Sequence, residues 1–357
     1  MNVFASAPLA TNINGVITLN DLVAASDLLD EARESVSVKN VKRDDQYVQL
    51  MDSTYTEYTP LEVTKIGEQV GAYIETKAGF VFELPNDYII QQDLGKYSPV
   101  SQLNIGDSIL LSGNLPDSTK MFSIGIKAGS NIPLALTEEY AHVMGIFYAY
   151  GQIHSNLKDP YAKRVPVDAT VPELLRAFTI EQLTCMQSGD HILLKANSEE
   201  LIKLLASLMV FKEKSNLPFY LRKISKLDIT VFMLPYIVGN MVETKLCGKT
   251  VDFLQKFQFL LFTRFGILSK LDMNQRVPCL EMFRDQDELI DLMYEISSEK
   301  MVLRDINPSF LDSLVKFNDY LYAFKDEVIG ITPIKGIGFN IQTDKPEINS
   351  SIVAGVM

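Results

Sequence analysis

The sequence predicts an α+β protein in which a β-rich domain is interrupted by an α/β insert. Three observations lead to this prediction. The first part of the chain consists of short β-rich stretches with turn residues between them, the middle part shows apolar residues at helical spacing, and the last part returns to a strand-like pattern. We therefore expect a β domain made of residues 1–130 and 318–357, and an insert made of residues 131–317.

Several stretches on either side of the insert are rich in β-forming residues and are bounded by turn residues. Those before the insert are GVITL (15–19), QYVQLMD (46–52), GAYIETKAGFVFEL (71–84) and DSILLSG (107–113). Those after it are DEVIGITPIKGIGFNIQ and SSIVAGV. Within GAYIETKAGFVFEL, the segment TKAGF predicts a hairpin turn.

Five stretches of the insert predict helices. Thr137 is a suitable N-cap for the first, which carries two acids in its first turn and apolar residues at helical spacing. The five stretches are LTEEYAHVMGIFYAYG, VPELLRAFTIEQL, SEELIKLLASLMVF, TVDFLQKFQFLLFTRFG and DQDELIDLMYEISSEKM, and DHILLKA is a short β-like piece among them.

The insert contains an internal repeat. Two similar apolar helices end at Tyr150 and Asn240, 90 positions apart, which predicts two structural halves about a pseudo-two-fold axis. Gly145 in the first helix favours the close approach of another helix, whereas Pro235 in the second is expected to kink it. His142 and His154 fit a surface or hydrogen-bonded pair better than a pair of metal ligands, because no third ligand accompanies them.

Composition narrows the class of protein. The 357 residues are 47% hydrophobic and carry a net charge of -12, which argues against a surface that coats nucleic acid. No apolar run is long enough for a bilayer, no secretory signal is seen, and the three cysteines form no CxxC motif or disulfide framework. We expect a cytoplasmic or virion-associated protein that is not secreted, does not contact a membrane, and needs no cofactor.

The order and spacing of these pieces resemble an intein, that is, a Hint domain, with an inserted LAGLIDADG homing-endonuclease domain. The opening SAPLATNINGVITLNDL, the stretch VSQLNIGDSILL and the C-terminal strands are similar to the Hint parts. The two apolar helices resemble the signature helices of the endonuclease. The resemblance implies a β-rich Hint-like horseshoe formed by residues 1–130 and 318–357, and a pseudo-two-fold LAGLIDADG-like insert at residues 131–317.

The resemblance also assigns splicing positions to this sequence. It places the nucleophile at Ser6 and the threonine that follows it at Thr11. The family's Thr-x-x-His motif falls on LPNDYII, where Pro85 and Tyr88 occupy the Thr and His positions. Tyrosine donates a hydrogen bond but is not a general base near neutral pH, so we expect no self-splicing.

The endonuclease positions differ from the family in the same way. Each signature helix of the family ends in Asp-Gly, and the two acids hold a divalent metal over the DNA. The matching positions here are Tyr150 and Asn240, and taking Gly239 as the final glycine of the second motif puts Val238 in place of Asn240. The resemblance therefore implies that no metal binds, unless a displaced acid such as Glu243 replaces a ligand. Mg²⁺ is expected only if endonuclease activity is retained.

Two classes of function follow. The first is a degenerate, intein-derived protein that serves as a structural or protein-binding component of a larger assembly, such as a viral one. The alternative is an intein with protein-splicing and site-specific homing endonuclease activity. DNA is a second possible class of partner. Residues 131–310 carry 20 Lys and Arg against 22 Asp and Glu, whereas a DNA-binding insert is expected to be clearly positive. The DNA-binding candidates are Lys212, Lys214, Arg222, Lys223 and Lys226, although a solvated connector is the favoured explanation of this basic stretch.

Overall fold

A computed structural model divides the chain into two compact units. The first unit comprises Met1–Lys120, Gln255–Leu271 and Leu303–Met357, and the second unit comprises Met121–Leu254 and Asp272–Val302. The residues that the structure describes are 2–11, 15–19, 37–39, 42–43, 46–47, 49–51, 58–93, 96–113, 136–152, 160–207, 217–218, 220–221, 224–248, 250–273, 276–282, 284–298, 314–316, 322–343 and 352–353.

The described residues of the N-terminal part of the chain form mainly strands, as the β-rich composition predicts. These are β1 (Asn2–Phe4), β2 (Pro8–Thr11), β3 (Gly15–Thr18), β4 (Ser37–Lys39), β5 (Lys42–Arg43), β6 (Gln46–Tyr47), β7 (Gln49–Met51), β8 (Tyr58–Thr76), β9 (Val81–Pro85), β10 (Ile89–Asp93), β11 (Lys96–Pro99) and β12 (Ser108–Ser112). Each stretch predicted as a strand in this part of the sequence contains at least one of them.

The following part mixes helices with short strands. In chain order the elements are α1 (Glu138–Tyr150), β13 (Gly151–Gln152), β14 (Tyr161–Pro166), α2 (Pro172–Leu175), β15 (Leu183–Ser188), β16 (His191–Ala196), α3 (Glu199–Ser207), α4 (Lys226–Asn240), β17 (Met241–Val242), β18 (Lys245–Cys247), α5 (Val251–Phe265), β19 (Ser269–Asp272), β20 (Cys279–Met282) and α6 (Gln286–Ser297). The chain then returns to strands, which are β21 (Leu314–Lys316), β22 (Tyr322–Thr343) and β23 (Ile352–Val353). The predicted mixture of α and β structure is therefore observed.

One predicted helix is wrong over most of its length. The stretch VPELLRAFTIEQL forms only the short helix α2, and β15 begins at its last residue, Leu183. A short helix needs a buried apolar face, because its own hydrogen bonds stabilise it only marginally. Here Ile180 is 81% exposed and Ala177 is also exposed, so packing gives little support to a helix beyond α2.

The sheet of the first unit is organised around two long strands. Strand β22 pairs antiparallel with β8 from Thr343 opposite Leu61 to Val328 opposite Thr76. Strands β1, β12 and β21 also pair with β22, and β4, β7 and β9 pair with β8. The buried side chains of this sheet include Phe4, Val63, Ile74, Phe82, Phe339 and Ile341.

The second unit repeats one order of elements. Helix α1 leads into strands that pair in the order β13-β14-β16, and α4 leads into strands that pair in the order β17-β18-β20. Each helix is thus followed by the same antiparallel arrangement, as the internal repeat of the sequence predicts. Among the helices that the structure describes, none is long and apolar enough to cross a membrane.

A buried carboxylate supports the turn between β8 and β9 in the first unit. The predicted hairpin turn is observed, with Gly79 at a φ of +97°. Asp326, which is 4% exposed, accepts hydrogen bonds from the backbone N–H groups of Ala78 at 3.3 Å and Glu327 at 2.9 Å. Burial raises the pKa of Asp326 from 3.8 to about 6, although the bonds from Thr76 and the backbone lower it.

We expect Asp326→Asn to remove a pH dependence of stability. The folded chain holds the Asp326 proton more tightly than the unfolded chain, so this stabilisation is present below pH 3.8 and is lost as the pH rises to about 6. The difference amounts to about 3 kcal/mol. Urea unfolding between pH 4 and pH 8 measures it, and the variant should show a flatter profile than the unsubstituted protein. Glu173→Gln, at an exposed acid of α2 in the second unit, is the control and should leave the profile unchanged.

Candidate functional site at the helix pair

Helices α1 and α4 pack against each other in the second unit and are called the helix pair below. Both sequences are apolar on all sides, which is typical of buried helices. A Cβ atom built on Gly145 of α1 would lie 2.1 Å from the carbonyl oxygen of Phe232 of α4. The predicted close approach at Gly145 is therefore confirmed, because no side chain fits between the two backbones.

An aromatic cluster fills the pair beyond this contact. The ring centroid of Tyr148 lies 5.5 Å from that of Phe232 and 5.8 Å from that of Tyr236. Phe253 of α5 lies 5.1 Å from Tyr236, again between ring centroids. Burial raises the pKa of Tyr148 and of Tyr236, so both phenols remain neutral. The cluster thus places no charge in the middle of the pair.

His142 joins α4 to a neighbouring loop from inside the pair. Its Nδ1 lies 3.1 Å from the carbonyl oxygen of Val231, and its Nε2 accepts the backbone N–H of Val171 at 2.9 Å. The Val231 carbonyl is the one that Pro235, four residues later, cannot bind, because proline has no N–H. His142 supplies that missing donor, so α4 continues as a helix through Pro235.

These contacts fix the protonation state of His142. Nδ1 must carry the hydrogen to donate to Val231, and Nε2 must be free of hydrogen to accept from Val171. Burial lowers the pKa of His142 from 6.5 to about 4, although the bond to Val231 raises it. The imidazole is therefore neutral at pH 7 and serves as a structural hydrogen-bonding residue. His154 lies outside the described residues.

The helix ends hold the two positions where the resemblance expects acids. A Cβ atom built on Gly239 would lie 2.4 Å from the hydroxyl oxygen of Tyr150, so the phenol rests on this glycine. That oxygen is buried, and no hydrogen-bond partner is found for it among the described residues. The side-chain amide of Asn240 donates to the carbonyl oxygen of Tyr236 at 2.9 Å, within its own helix. Both side chains take part in local structure.

Glu243 is the acid that could replace a missing ligand, and the structure describes its position. Glu243 is exposed in the tight turn between β17 and β18, at a φ of 51°. Across the residues that the structure describes, no group of three or more His, Cys, Asp or Glu side chains is arranged to hold a metal ion. A metal site would therefore need ligands other than such a group.

The basic candidates for DNA contact fall mostly outside the described chain. Lys226 is the first residue of α4 and is 8% exposed, so little of its side chain is available to a phosphate. A DNA contact by Lys226 stays a prediction. The other four, which lie outside the described residues, are Lys212, Lys214, Arg222 and Lys223.

The positions that the resemblance assigns to splicing lie in the first unit. The hydroxyl of Ser6 donates to a carboxylate oxygen of Glu83 at 2.7 Å, a partner that the sequence pattern did not suggest. Glu83 lies on β9, two residues before Pro85, and is an acidic residue in an otherwise apolar strand. Tyr88 is 6% exposed, and its backbone N–H donates to the Pro85 carbonyl oxygen at 3.0 Å. Thr11 lies on β2, and its side chain is outside the described part.

Comparison with known proteins yields similar structures and no shared family. No protein-family model matches the chain, and no curated protein matches it. Among solved structures, full-length DUF199/WhiA from Thermatoga maritima is similar with a TM-score of 0.29 and 13% identity, over 52% of this chain and 66% of that one. This chain thus spans about two thirds of the length of that protein.

Two other solved structures are similar to parts of this chain. I-DmoI in complex with DNA and Mn gives a TM-score of 0.32 at 11% identity, over 45% of this chain and 97% of that one. The transcription factor IIB Mvu mini-intein gives a TM-score of 0.26 at 17% identity, over 33% of this chain and 73% of that one. The combination of Hint domain and insert in this chain stays a prediction.

Proposed function

We propose that this chain is an intein-derived protein with a LAGLIDADG-like insert that has lost its splicing and DNA-cleaving residues. In this proposal it serves as a structural or binding component of a larger assembly, such as a viral one. One observation carries the proposal, namely the use of Tyr150 and Asn240 in packing and capping at the ends of the helix pair. The phenol rests on Gly239, and the amide binds the Tyr236 carbonyl.

The chemistry of these two side chains supports the loss of cleavage. Mg²⁺ is usually held through one or two carboxylates, whose charge offsets the cost of removing water from the ion. A phenol and an amide are neutral at pH 7. Burial raises the pKa of Tyr150 further, so this hydroxyl does not become an anionic ligand. Without a bound metal, the water that attacks a phosphodiester is not activated.

A role in binding proteins is supported by the surface of the second unit. Ile180, Met186 and Val242 are 81%, 51% and 71% exposed. Apolar side chains of this kind are common at protein interfaces. Residues 131–310 carry a slight excess of acids, which would repel a DNA backbone, so a protein is the first partner class and DNA the second. The alternative function, with active splicing and cleavage, requires groups that these positions lack.

Calorimetric titration of the full chain with Mg²⁺ or Mn²⁺ is expected to show no saturable binding. The physical reason is the absence of anionic oxygen at residues 150 and 240. The double variant Tyr150→Asp, Asn240→Asp is the matched control and should acquire saturable binding of about one or two ions per chain. Plasmid DNA incubated with the unsubstituted protein and either metal should stay uncut.

Saturable binding by the unsubstituted chain would contradict this proposal. If Glu243→Gln abolished that binding, a displaced acid would have rebuilt the site. If the Tyr150→Asp, Asn240→Asp variant folded but bound no metal, the helix ends would not be equivalent to the family's metal site.

A further inference from the structure

Two cysteines face each other across adjacent strands of the second unit. Cys247 of β18 is the register partner of Cys279 of β20, and the two strands run antiparallel. The two Sγ atoms lie 2.7 Å apart, although the residues are separated by 32 positions in sequence. Both are free thiols in this structure.

The backbone at this position is suited to a disulfide. The N–H of Gly248 donates to the carbonyl of Pro278, and the N–H of Met282 donates to the carbonyl of Thr244. In this register the hydrogen-bonded pairs alternate, so Cys247 and Cys279 form a non-hydrogen-bonded pair. Such pairs have Cα atoms about 4.5 Å apart, which lies inside the range of about 4.4–6.8 Å found for disulfides. No backbone movement is needed to join them.

We propose that Cys247 and Cys279 are a redox-sensitive modification site that forms a reversible intramolecular disulfide with a small disulfide oxidant such as oxidised glutathione. The two sulfurs differ in access. Cys247 is partly exposed, whereas Cys279 is 1% exposed. Cys247 therefore meets the oxidant first, and Cys279 completes the reaction from inside.

The exchange takes place in two steps. The Cys247 thiolate attacks one sulfur of oxidised glutathione, the glutathione S–S bond breaks, and one glutathione thiolate leaves. The Cys279 thiolate then attacks the Cys247 sulfur of the mixed disulfide, and the second glutathione thiolate leaves. The two thiol protons end on the two released glutathiones, and two electrons pass from the protein to the oxidant. Burial and the neighbouring Cys247 raise the pKa of Cys279, so this cysteine is the less reactive of the two in the first step.

The disulfide would close a loop that contains α5. The chain between the two cysteines includes Val251–Phe265, whose first turn contributes Phe253 to the aromatic cluster of the helix pair. Cys247 is also close enough to Tyr236 of α4 to affect its pKa. A covalent link here reduces the freedom of the unfolded chain, so the oxidised protein is expected to resist unfolding more strongly.

The test is a thiol count before and after incubation of the folded chain with oxidised glutathione. The reduced chain should show three alkylatable thiols in denaturant, and the oxidised chain should lose those of Cys247 and Cys279, whereas the exposed Cys185 either stays free or carries a glutathione. A non-reducing peptide map should join the Cys247 and Cys279 peptides within one chain. The melting temperature should rise by roughly 5 °C on oxidation and return on reduction.

Variants separate the two steps. Cys279→Ser should accumulate a glutathione adduct on Cys247, and Cys247→Ser should leave Cys279 unmodified in the folded chain. Cys185→Ser leaves the pair intact, and its thiol count should fall from two to none, which answers the question even if the other variants do not fold. Three thiols remaining in the unsubstituted chain, or links that involve Cys185 or a second chain, would overturn the proposal.

Discussion

The variant Gly145→Ala is expected to lose about 2 kcal/mol or more of its free energy of unfolding. Helix propensity alone predicts the opposite, because alanine is better than glycine inside a helix by about 1 kcal/mol. The added Cβ would lie 2.1 Å from the Phe232 carbonyl oxygen, which is backbone and cannot rotate away. Overpacking of this kind costs about 1–3 kcal/mol, and a backbone contact belongs at the upper end. Urea unfolding followed by circular dichroism measures the loss.

Gly189→Asn is the matched control for this variant. Gly189 has nothing within 4 Å of a built Cβ, and its φ of +61° is one that asparagine tolerates. We expect this variant to unfold close to the unsubstituted protein. A Gly145→Ala protein as stable as this control would show that the two helices can separate without loss, and that the close contact is not needed for the fold.

Acidification is expected to destabilise the second unit through His142. The folded pKa of about 4 lies below the ordinary value of 6.5, so the unfolded chain takes up the proton first as the pH falls. The stabilisation is complete above pH 6.5 and is lost as the pH falls towards 4, by about 3 kcal/mol. A protonated Nε2 would also face the Val171 N–H and lose that hydrogen bond. Comparing unfolding curves of the unsubstituted protein and His142→Gln between pH 4 and pH 8 isolates this contribution.

A double-mutant cycle tests the link between His142 and Pro235. His142→Leu leaves the Val231 carbonyl and the Val171 N–H buried without their partner, at about 1–3 kcal/mol for each group. Pro235→Ala restores an N–H that can bind the Val231 carbonyl. The second substitution should therefore stabilise the His142→Leu protein by at least about 1 kcal/mol more than it stabilises the unsubstituted one. Equal effects in both backgrounds would mean that His142 does not replace the missing donor.

Local pattern was sufficient to predict part of this site. The apolar spacing of α1 and the lone glycine at its centre predicted a buried helix with a close contact at Gly145, because both features depend on neighbours in sequence. The role of His142 was less accessible, since its partner carbonyl is 89 residues away. The sequence predicted a hydrogen-bonded histidine as one of two alternatives for His142. It did not predict the link to Pro235.

The contacts that the sequence did not predict depend on strand register. Cys247 and Cys279 become opposite only when β18 and β20 pair, and no CxxC spacing marks them. Glu83 reaches Ser6 only because β9 lies beside the chain start, 77 positions away. Helix α2 was overestimated for a related reason, because propensity could not show that Ala177 and Ile180 stay exposed.

The pairing of β8 with β22 has a consequence during biosynthesis. Lys77, which directly follows β8, donates a hydrogen bond to Glu327 of β22. The two residues are 250 positions apart in the sequence. At about 5–20 residues per second, the ribosome needs roughly 10–50 s to produce the partner of β8. All residues of the second unit are synthesised within this interval. During that time the edge of β8 that will pair with β22 has no partner strand. An open strand edge is a template for aggregation, so the yield of native protein should depend on translation speed and on chaperones that cover β8.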